Sequence, residues 1–226
     1  MIDPATFGRC NICGGTEFEA GFLGRLSTNG KKPSCVKCKS AERHRIIYDV
    51  YTHLRAFMKE RRGLQFAPEG IFRPEWFKAF DFSAYGRHNS YDMMDIPLPE
   101  GAFDIVISNH VIEHVADDAK ALGECLRVAG ETGVVHVTAP SPSYRYTTQD
   151  WGFADPEKNE HYRDYGADMG RDLCRRTPGA HAVGVIGHDP ATFATDTIFF
   201  FSRSEATLRE IAQPLQRALF GCVVVA

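Results

Sequence analysis

Four cysteines near the start of the chain stand in two close pairs, Cys10-Asn-Ile-Cys13 and Cys35-Val-Lys-Cys38, with 21 residues between the pairs. A Cys-x2-Cys turn directs two thiolates at one point, and a second such turn completes a tetrahedron around a divalent ion, usually zinc. The spacing therefore predicts that Cys10, Cys13, Cys35 and Cys38 bind one structural Zn²⁺. A closed four-thiolate site of this kind stabilises local structure and leaves no position open for chemistry.

Two disulfides or four ordinary buried cysteines are the alternative interpretations of this pattern. The stretch from Met1 to Arg9 lacks the basic start and apolar segment of a secretion signal, so we expect a cytoplasmic, reducing compartment that disfavours disulfides. The longest apolar runs are far shorter than the roughly 18–20 residues needed to cross a bilayer. The sequence therefore favours zinc and indicates no membrane partner.

The pattern that follows the cysteines predicts one α/β domain with a small N-terminal appendage in the 226 residues. An apolar stripe at helical spacing from Ile46 to Met58 predicts a helix of about 18 residues. From Leu64 onward, short apolar strands alternate with helices, which favours a mostly parallel sheet. The expected units are a zinc module over 1–40, a linking helix over 41–63 and a main domain over 64–226. The predicted strands cover 64–67, 78–82, 90–93, 103–108, 134–138, 182–186 and 197–202, and the other predicted helices cover 74–77, 117–128, 164–176 and 205–219.

Acidic and polar side chains recur at the carboxyl ends of the first four predicted strands, where open α/β sheets bind ligands. They include Glu69, Asp81, Asp95 and Asn109. Carboxylates at such positions can accept hydrogen bonds from a pair of ribose hydroxyls and from an adenine amino group. A dinucleotide would also require a Gly-x-Gly-x-x-Gly loop for its pyrophosphate, and the sequence has none, so NAD and FAD are excluded.

The run from Asp95 to Val115, DIPLPEGAFDIVISNHVIEHV, resembles class I S-adenosylmethionine-dependent methyltransferases of the type 11-like group. Within that group, a cysteine module ahead of Phe66-Ala67-Pro68-Glu69 resembles a particular subset. The resemblance covers about residues 10–202. It implies a Rossmann-like sheet, mostly parallel with the last strand antiparallel, and S-adenosylmethionine as the cofactor.

The resemblance also implies roles for individual residues. Glu69 and its neighbours would face the methionine end of the cofactor, Asp81 would hold the ribose hydroxyls, and Asp95 with Ile96 would lie beside the adenine. Asn109 would form the floor under the sulfonium. The alternative for each aspartate is a helix cap or a turn. The implied cofactor residues are Phe66, Ala67, Pro68, Glu69, Asp81, Asp95, Ile96, Asn109 and His110.

The segment from Tyr144 to Tyr165 is rich in aromatic residues and is long enough to cover the strand ends as a lid. Its HYRDYG stretch resembles the His-x-Arg-x-Tyr/Phe stretch of the same subset. We expect His161 to act as a base or to bind the methyl acceptor, because an imidazole titrates near neutral pH. The alternative is that His161 pins the next helix. The residues expected to bind the acceptor are Tyr144, Tyr162 and Arg163.

The charges are distributed unevenly along the chain. Residues 1–63 hold 12 Lys and Arg against 6 Asp and Glu, a net charge of +6, whereas residues 64–226 hold 14 against 23, a net charge of −9. The acidic main domain favours a small-molecule acceptor, methylated on oxygen, such as a sugar or natural-product scaffold. The alternatives are an RNA or protein methyltransferase that uses the basic head for binding, and a non-catalytic binding module with the same fold.

Overall fold

The computed structural model describes residues 7–87, 89–140 and 144–225. Its N-terminal part, the head, contains two short antiparallel strands, β1 (Phe18–Glu19) and β2 (Ser34–Cys35), in which Phe18 pairs with Cys35. The first cysteine pair lies in a turn before β1, and the second pair begins at Cys35 in β2 and ends in the turn that follows it. The head is therefore small, and few of its residues lie in regular secondary structure.

The head continues into helix α1 (Glu42–His53), which is followed by the short helix α2 (Arg55–Met58). The predicted single helix of about 18 residues is thus split at Leu54. Ile46, Ile47 and Val50 are buried, which is why the apolar stripe was visible in the sequence. Arg45 on the same helix is fully buried and joins the head to the rest of the chain.

The main domain is built on a seven-stranded sheet with the spatial order β11-β9-β10-β6-β5-β3-β4. Strands β3 to β6 are parallel neighbours, whereas β10 runs antiparallel to both β6 and β9. The prediction of a mostly parallel Rossmann-like sheet with an antiparallel late strand is confirmed. The strands of this sheet are β3 (Arg62–Phe66), β4 (Ala79–Ser83), β5 (Ile105–Asn109), β6 (Val134–Thr138), β9 (His181–His188), β10 (Thr195–Ser202) and β11 (Gly221–Val225), and a separate hairpin holds β7 (Gln149–Asp155) and β8 (His161–Asp164).

Helices cover both faces of the sheet. One face packs against α3 (Asp118–Ala129) and α4 (Met169–Arg176), and the other packs against α1 and α5 (Glu205–Arg217). The alternation of side chains along each strand divides the core accordingly, with Val106 in one cluster and Ile105 and Ile107 in the other. No helix in the described ranges is long and apolar enough to cross a bilayer.

Several predicted elements are wrong. Residues 90–93 form a turn instead of a strand, because the Asp92 carboxylate accepts a hydrogen bond from Met94 N at 2.8 Å and only one isolated bridge, Asp92 to Asp95, forms. Residues 74–77 contain only a 3-10 turn, Pro74–Trp76. The predicted helix over 164–176 begins only at Met169, because Asp164 pairs with Gln149 of β7 and residues 165–168 form the connection between strand and helix. Strand β11 was not predicted.

Candidate functional site

The carboxyl ends of β3 and β5 meet at one edge of the sheet, and the antiparallel strand β10 begins at that same edge. This topology brings Glu69, His110 and Asp196 near one another although they are far apart in the sequence. Ala67 and His110 follow the two parallel strands and have left-handed φ angles of 46° and 51°. Such angles turn the chain sharply away from the sheet and are costly for residues with a Cβ.

Asp81 lies on the outermost strand β4, and its carboxylate is exposed. One of its oxygens accepts a hydrogen bond from the backbone N of Phe82 at 2.8 Å. Asp95 is exposed in the turn after β4, while Phe66 and Ile96 are buried in the core. Asp81 pairs with Leu64 in the middle of β3 and so precedes the carboxyl end of β4, and its carboxylate faces solvent.

Glu69 is held against the N-terminal turn of α1. Its Oε1 atom lies 2.6 Å from Arg43 Nη2 and 3.2 Å from His44 Nε2. Burial alone would raise the pKa of Glu69, but the hydrogen bond from His44 and the charge of Arg43 lower it to about 2. Glu69 is therefore a carboxylate, and its Oε2 atom has no hydrogen-bond partner among the described residues.

Asn109 is oriented by a buried chain of hydrogen bonds. The Tyr51 hydroxyl lies 3.0 Å from His136 Nδ1, and His136 Nε2 lies 2.8 Å from Asn109 Oδ1. Complete burial lowers the pKa of His136 to about 3, so its ring is neutral and carries one proton. Donation from Nε2 to Asn109 and from the tyrosine hydroxyl to Nδ1 satisfies this ring. Asn109 Nδ2 is left as a buried donor without a partner in the described part of the chain.

His110 and Glu113 form a second group of incompletely satisfied polar atoms. Burial, with the charge of Arg43 as the next cause, lowers the pKa of His110 to about 3. Burial likewise raises the pKa of Glu113 to about 8. His110 Nδ1 lies 3.9 Å from Glu113 Oε1, which is too long for a hydrogen bond. His110 Nε2 and both oxygens of Glu113 have no hydrogen-bond partner within the described ranges.

A cavity of about 390 Å³ opens beside this edge, between the head and the sheet. The head and α1 supply Arg25, Thr28, Glu42 and Arg43 to its wall, and the sheet edge supplies His110 and Asp196. Its other lining residues are Leu26, Pro140, Tyr144, Ala194 and Thr195. The cavity is large enough for a small molecule and is lined by both apolar and charged groups.

Asp196, at the start of β10, was not identified from the sequence. Its Oδ1 atom accepts a hydrogen bond from Thr197 N at 2.8 Å. Burial raises the pKa of its carboxyl to about 7, and Arg43 and Glu42 are the charged residues that also influence it. A carboxyl poised near neutral pH in a cavity can act as a general acid or base. The sequence carried no signal for this residue, because the late strand reaches the site only through the sheet order.

The residues predicted to bind the acceptor are separated by the fold. Tyr144 lines the cavity and donates a hydrogen bond to the carbonyl of Thr195 at 3.1 Å. Tyr162 is partly buried, and the Arg163 guanidinium lies 5.8 Å from its ring centre. His161 lies outside the cavity lining and contacts the ring of His114 edge-on, with 4.6 Å between ring centres.

Arg163 is 2% exposed and engages the turn that follows β5. Its guanidinium donates to the carbonyls of Val115 and Ala116 at 2.7 and 2.8 Å and to the Asp150 carboxylate at 2.7 Å. These contacts fix the hairpin of β7 and β8 against the sheet edge. Arg163 therefore has a structural role. Of the three residues predicted to bind the acceptor, Tyr144 is the one that lines the cavity.

The four head cysteines converge as the spacing predicted. Their sulfur atoms all lie within 4.8 Å of one another, with 3.5 Å between Cys10 and Cys38 and 3.6 Å between Cys13 and Cys35. A tetrahedral zinc ion with Zn–S bonds of about 2.3 Å requires S–S separations of about 3.8 Å. The arrangement fits such an ion with small adjustments, and all four cysteines are free of disulfides.

The fold defines the chain as an α/β protein with a Rossmann-like, mostly parallel central sheet. Residues 81–137, which run from β4 to β6, match the family described as a methyltransferase domain. Enzymes carry this domain, and the matched segment includes Asp81, Asp95, Asn109 and Glu113. The central part of the chain is therefore similar in sequence to methyltransferase domains.

Curated relatives match short stretches. Ajmaline N-methyltransferase of Rauvolfia serpentina is 46% identical over 44 residues, which are 20% of this chain and 15% of that protein. A protein of Mycolicibacterium smegmatis named probable S-adenosylmethionine-dependent methyltransferase is 38% identical over 55 residues, 24% of this chain and 21% of that protein. The chain thus matches about a fifth or less of the length of these relatives.

Solved structures resemble the chain over a longer span at low identity. The 1,6-didemethyltoxoflavin-N1-methyltransferase of Burkholderia thailandensis, solved with 1,6-didemethyltoxoflavin and S-adenosylhomocysteine, is 12% identical with a TM-score of 0.45 and covers 71% of this chain and 78% of its own. A SAM-dependent methyltransferase of Aquifex aeolicus is 14% identical with a TM-score of 0.42 and covers 68% and 87%.

Proposed function

We propose that the protein is an S-adenosylmethionine-dependent methyltransferase that methylates an oxygen atom of a small molecule, such as a sugar or a natural-product scaffold. The observation that carries the proposal is the cavity between the head and the sheet edge. The cavity is lined by the Asp196 carboxyl, with a pKa raised to about 7, and by His110, which follows β5 in the segment that matches a methyltransferase domain.

The polar atoms at the sheet edge support binding of the cofactor. Asn109 Nδ2 and Glu69 Oε2 are a buried donor and a buried acceptor without partners in the described ranges, and unpaired groups of this kind are costly unless a ligand satisfies them. A methionine moiety offers an ammonium group and a carboxylate, which are complementary to these two atoms. Asp81 on β4 would accept hydrogen bonds from the ribose hydroxyls.

The chemistry assigned to the cavity requires one base. S-adenosylmethionine supplies an activated methyl group on a sulfonium. A hydroxyl acceptor retains its proton at neutral pH, so a base close to the acceptor oxygen assists the attack. In the proposed step the acceptor oxygen bonds to the methyl carbon, the carbon–sulfur electron pair stays with sulfur, and the hydroxyl proton passes to Asp196. Tyr144 forms part of the wall that orients the acceptor.

The head is assigned to the acceptor pocket and to a structural zinc ion held by Cys10, Cys13, Cys35 and Cys38. Part of its positive charge is engaged in ion pairs, and Arg43 and Arg45 bind carboxylates of the main domain, which leaves less of that charge for a polyanion. This supports a small-molecule acceptor over RNA. The internal pairs are Arg25–Glu42 at 2.7 Å, Lys39–Glu19 at 2.7 Å, Arg43–Glu69 at 2.6 Å and Arg45–Asp189 at 2.6 Å.

The test is transfer of a labelled methyl group from S-adenosylmethionine to a panel of hydroxylated small molecules, with RNA and protein acceptors in parallel. We expect label on a small-molecule oxygen and binding of S-adenosylhomocysteine in calorimetry. Salt-sensitive labelling of RNA would replace the proposal with the polymer-modifying alternative. Absence of any cofactor binding would identify a non-catalytic module.

A further inference from the structure

Three potential metal ligands meet where the turn after β5 contacts the hairpin. Glu113 and His114 lie in the 3-10 turn Ile112–His114, and His161 begins β8. One ligand atom from each of the three residues lies within 4.8 Å of the other two. The hairpin that Arg163 fixes in place brings His161 to the turn, so the cluster is assembled by tertiary structure.

The carboxyl group of Glu113 is buried in this cluster, and its oxygens are unpaired in the described part of the chain. Its side chain is 1% exposed, and neither carboxylate oxygen has a hydrogen-bond partner within the described ranges. Its nearest ion-pair candidate is His110, whose Nδ1 atom lies 3.9 Å from Glu113 Oε1, too far for a hydrogen bond. Buried polar oxygens without a partner are costly, and a bound cation is one of the ways in which proteins offset that cost.

We propose that Glu113, His114 and His161 bind one divalent first-row transition-metal ion. Two imidazoles and one carboxylate are the ligand set that suits such ions and that leaves further coordination positions open. The three ligand atoms lie within 4.8 Å of one another and must move closer together before all of them can form metal–ligand bonds of about 2.1 Å. His114 is exposed and can make this adjustment without disturbing the core.

The cluster lies close enough to the cavity for its ion to take part in methyl transfer. This part of the inference rests on the proposed function. Glu113 contacts His110, and His110 lines the acceptor cavity. An ion at this border can take the acceptor oxygen as a ligand and lower the pKa of its hydroxyl. The atom balance is unchanged, because the proton still passes to Asp196 and the methyl group still moves from sulfur to oxygen.

The experiment is a calorimetric titration of Co²⁺ into the full-length protein with its cysteine site already filled with zinc. We expect about one Co²⁺ per chain in addition to the zinc, as a single site for one ion requires. We expect an absorption spectrum without the intense thiolate bands that binding to cysteine would produce. Glu113→Gln and His161→Ala should each weaken the binding of Co²⁺ at least tenfold.

His181→Ala is the matched control, because His181 is a surface histidine that also lies beside a carboxylate, Glu205, at 3.7 Å, but has no third ligand. This variant should bind Co²⁺ like the unchanged protein. Zinc content and thermal unfolding show which variants are folded, and Glu113→Gln keeps the shape of the side chain if His161→Ala is unstable. Absence of Co²⁺ binding, or Co²⁺ binding in both ligand variants as tight as in the unchanged protein, would overturn the inference. Binding of S-adenosylhomocysteine is measured separately, so its presence without Co²⁺ binding would leave the proposed function intact.

Discussion

Asp196 is the residue whose chemistry is most open to a direct test. Its carboxyl has a pKa raised to about 7 by burial, and it can accept a proton only when it is ionised. We therefore expect kcat/KM on the acceptor to increase as the pH rises through about 7. Asp196→Asn should lower kcat by about 10²-fold or more and remove that pH dependence. The measurement is a pH profile of methyl transfer for both proteins.

The affinity of Asp196→Asn for S-adenosylhomocysteine should stay within about twofold of the original, because the residue is assigned to the acceptor. Arg43, Glu42, Arg25 and His110 also line the cavity and could influence the profile. A pH dependence that persists unchanged in the variant would show that another of these groups titrates.

Asp81 tests the cofactor side of the same edge. Asp81→Ala should weaken the binding of S-adenosylhomocysteine tenfold or more, because a carboxylate that accepts two hydroxyl hydrogen bonds forms charge-assisted contacts. Asp117→Ala is the control, since Asp117 caps α3 by accepting from Lys120 N. That variant should lose about 1 kcal/mol of stability and keep its affinity. If Asp81→Ala binds S-adenosylhomocysteine as tightly as the unchanged protein, Asp81 does not bind the ribose.

At the residue scale, the sequence predicted the groups whose chemistry is local. The cysteine spacing predicted convergence of four thiolates, and the structure brings their sulfur atoms together. Asp196 and the chain from Tyr51 through His136 to Asn109 were not predictable, because each depends on contacts between elements far apart in the sequence. The assigned roles of Asp81, Asn109 and His161 remain predictions.

Among the elements, buried strands were predicted well and exposed ones poorly. Strands β5 and β6 are mostly apolar and buried on both faces, which is the pattern that reveals a parallel strand, and β3 is also almost entirely buried. The hairpin of β7 and β8 is largely polar and much of β7 is exposed. Its residues therefore show no alternation of apolar and polar side chains that would predict strands. Residues 90–93 resembled a strand, but side-chain hydrogen bonds to the backbone favour a turn there.

The buried guanidinium of Arg163 helps to hold the β7–β8 hairpin against the sheet edge. We therefore expect its removal to lower the stability of the protein. Arg163→Ala leaves the carbonyls of Val115 and Ala116 and the Asp150 carboxylate without their donor. We expect a loss of about 2–4 kcal/mol in the free energy of unfolding, measured by urea denaturation. Arg175→Ala, at a side chain that is 75% exposed, should change it by less than about 0.5 kcal/mol. Similar small losses in both variants would contradict the structural role of Arg163.

In the molecule as a whole, the head is joined to the main domain by a buried ion pair. Arg45 binds Asp189 through two hydrogen bonds of 2.6 and 2.9 Å and also donates to the carbonyls of Pro33 and Ser40. The Asn29 side chain donates to the carbonyl of Thr192. These contacts explain how residues of the small head come to line a cavity beside the sheet of the main domain.

Removal of the zinc should therefore affect the acceptor more than the cofactor. Cys10→Ser is expected to loosen the head, because structural zinc contributes directly to folding. The KM for the acceptor should rise several-fold, while the affinity for S-adenosylhomocysteine should stay within about twofold, since the predicted cofactor residues lie on the main domain. Metal analysis and parallel binding measurements check this. Loss of both affinities together would show that the head supports the entire domain.

The outer position of β4 has a consequence for the timing of the reaction cycle. Because residues 90–93 do not add a further strand, β4 is the edge of the sheet and the Asp81 carboxylate lies at the surface. The adenosine end of the product would then be solvated, and it could leave without any element moving aside. We expect a short residence time for S-adenosylhomocysteine and weak product inhibition, so that turnover is limited by chemistry instead of release. Stopped-flow dissociation that is slower than kcat would contradict this.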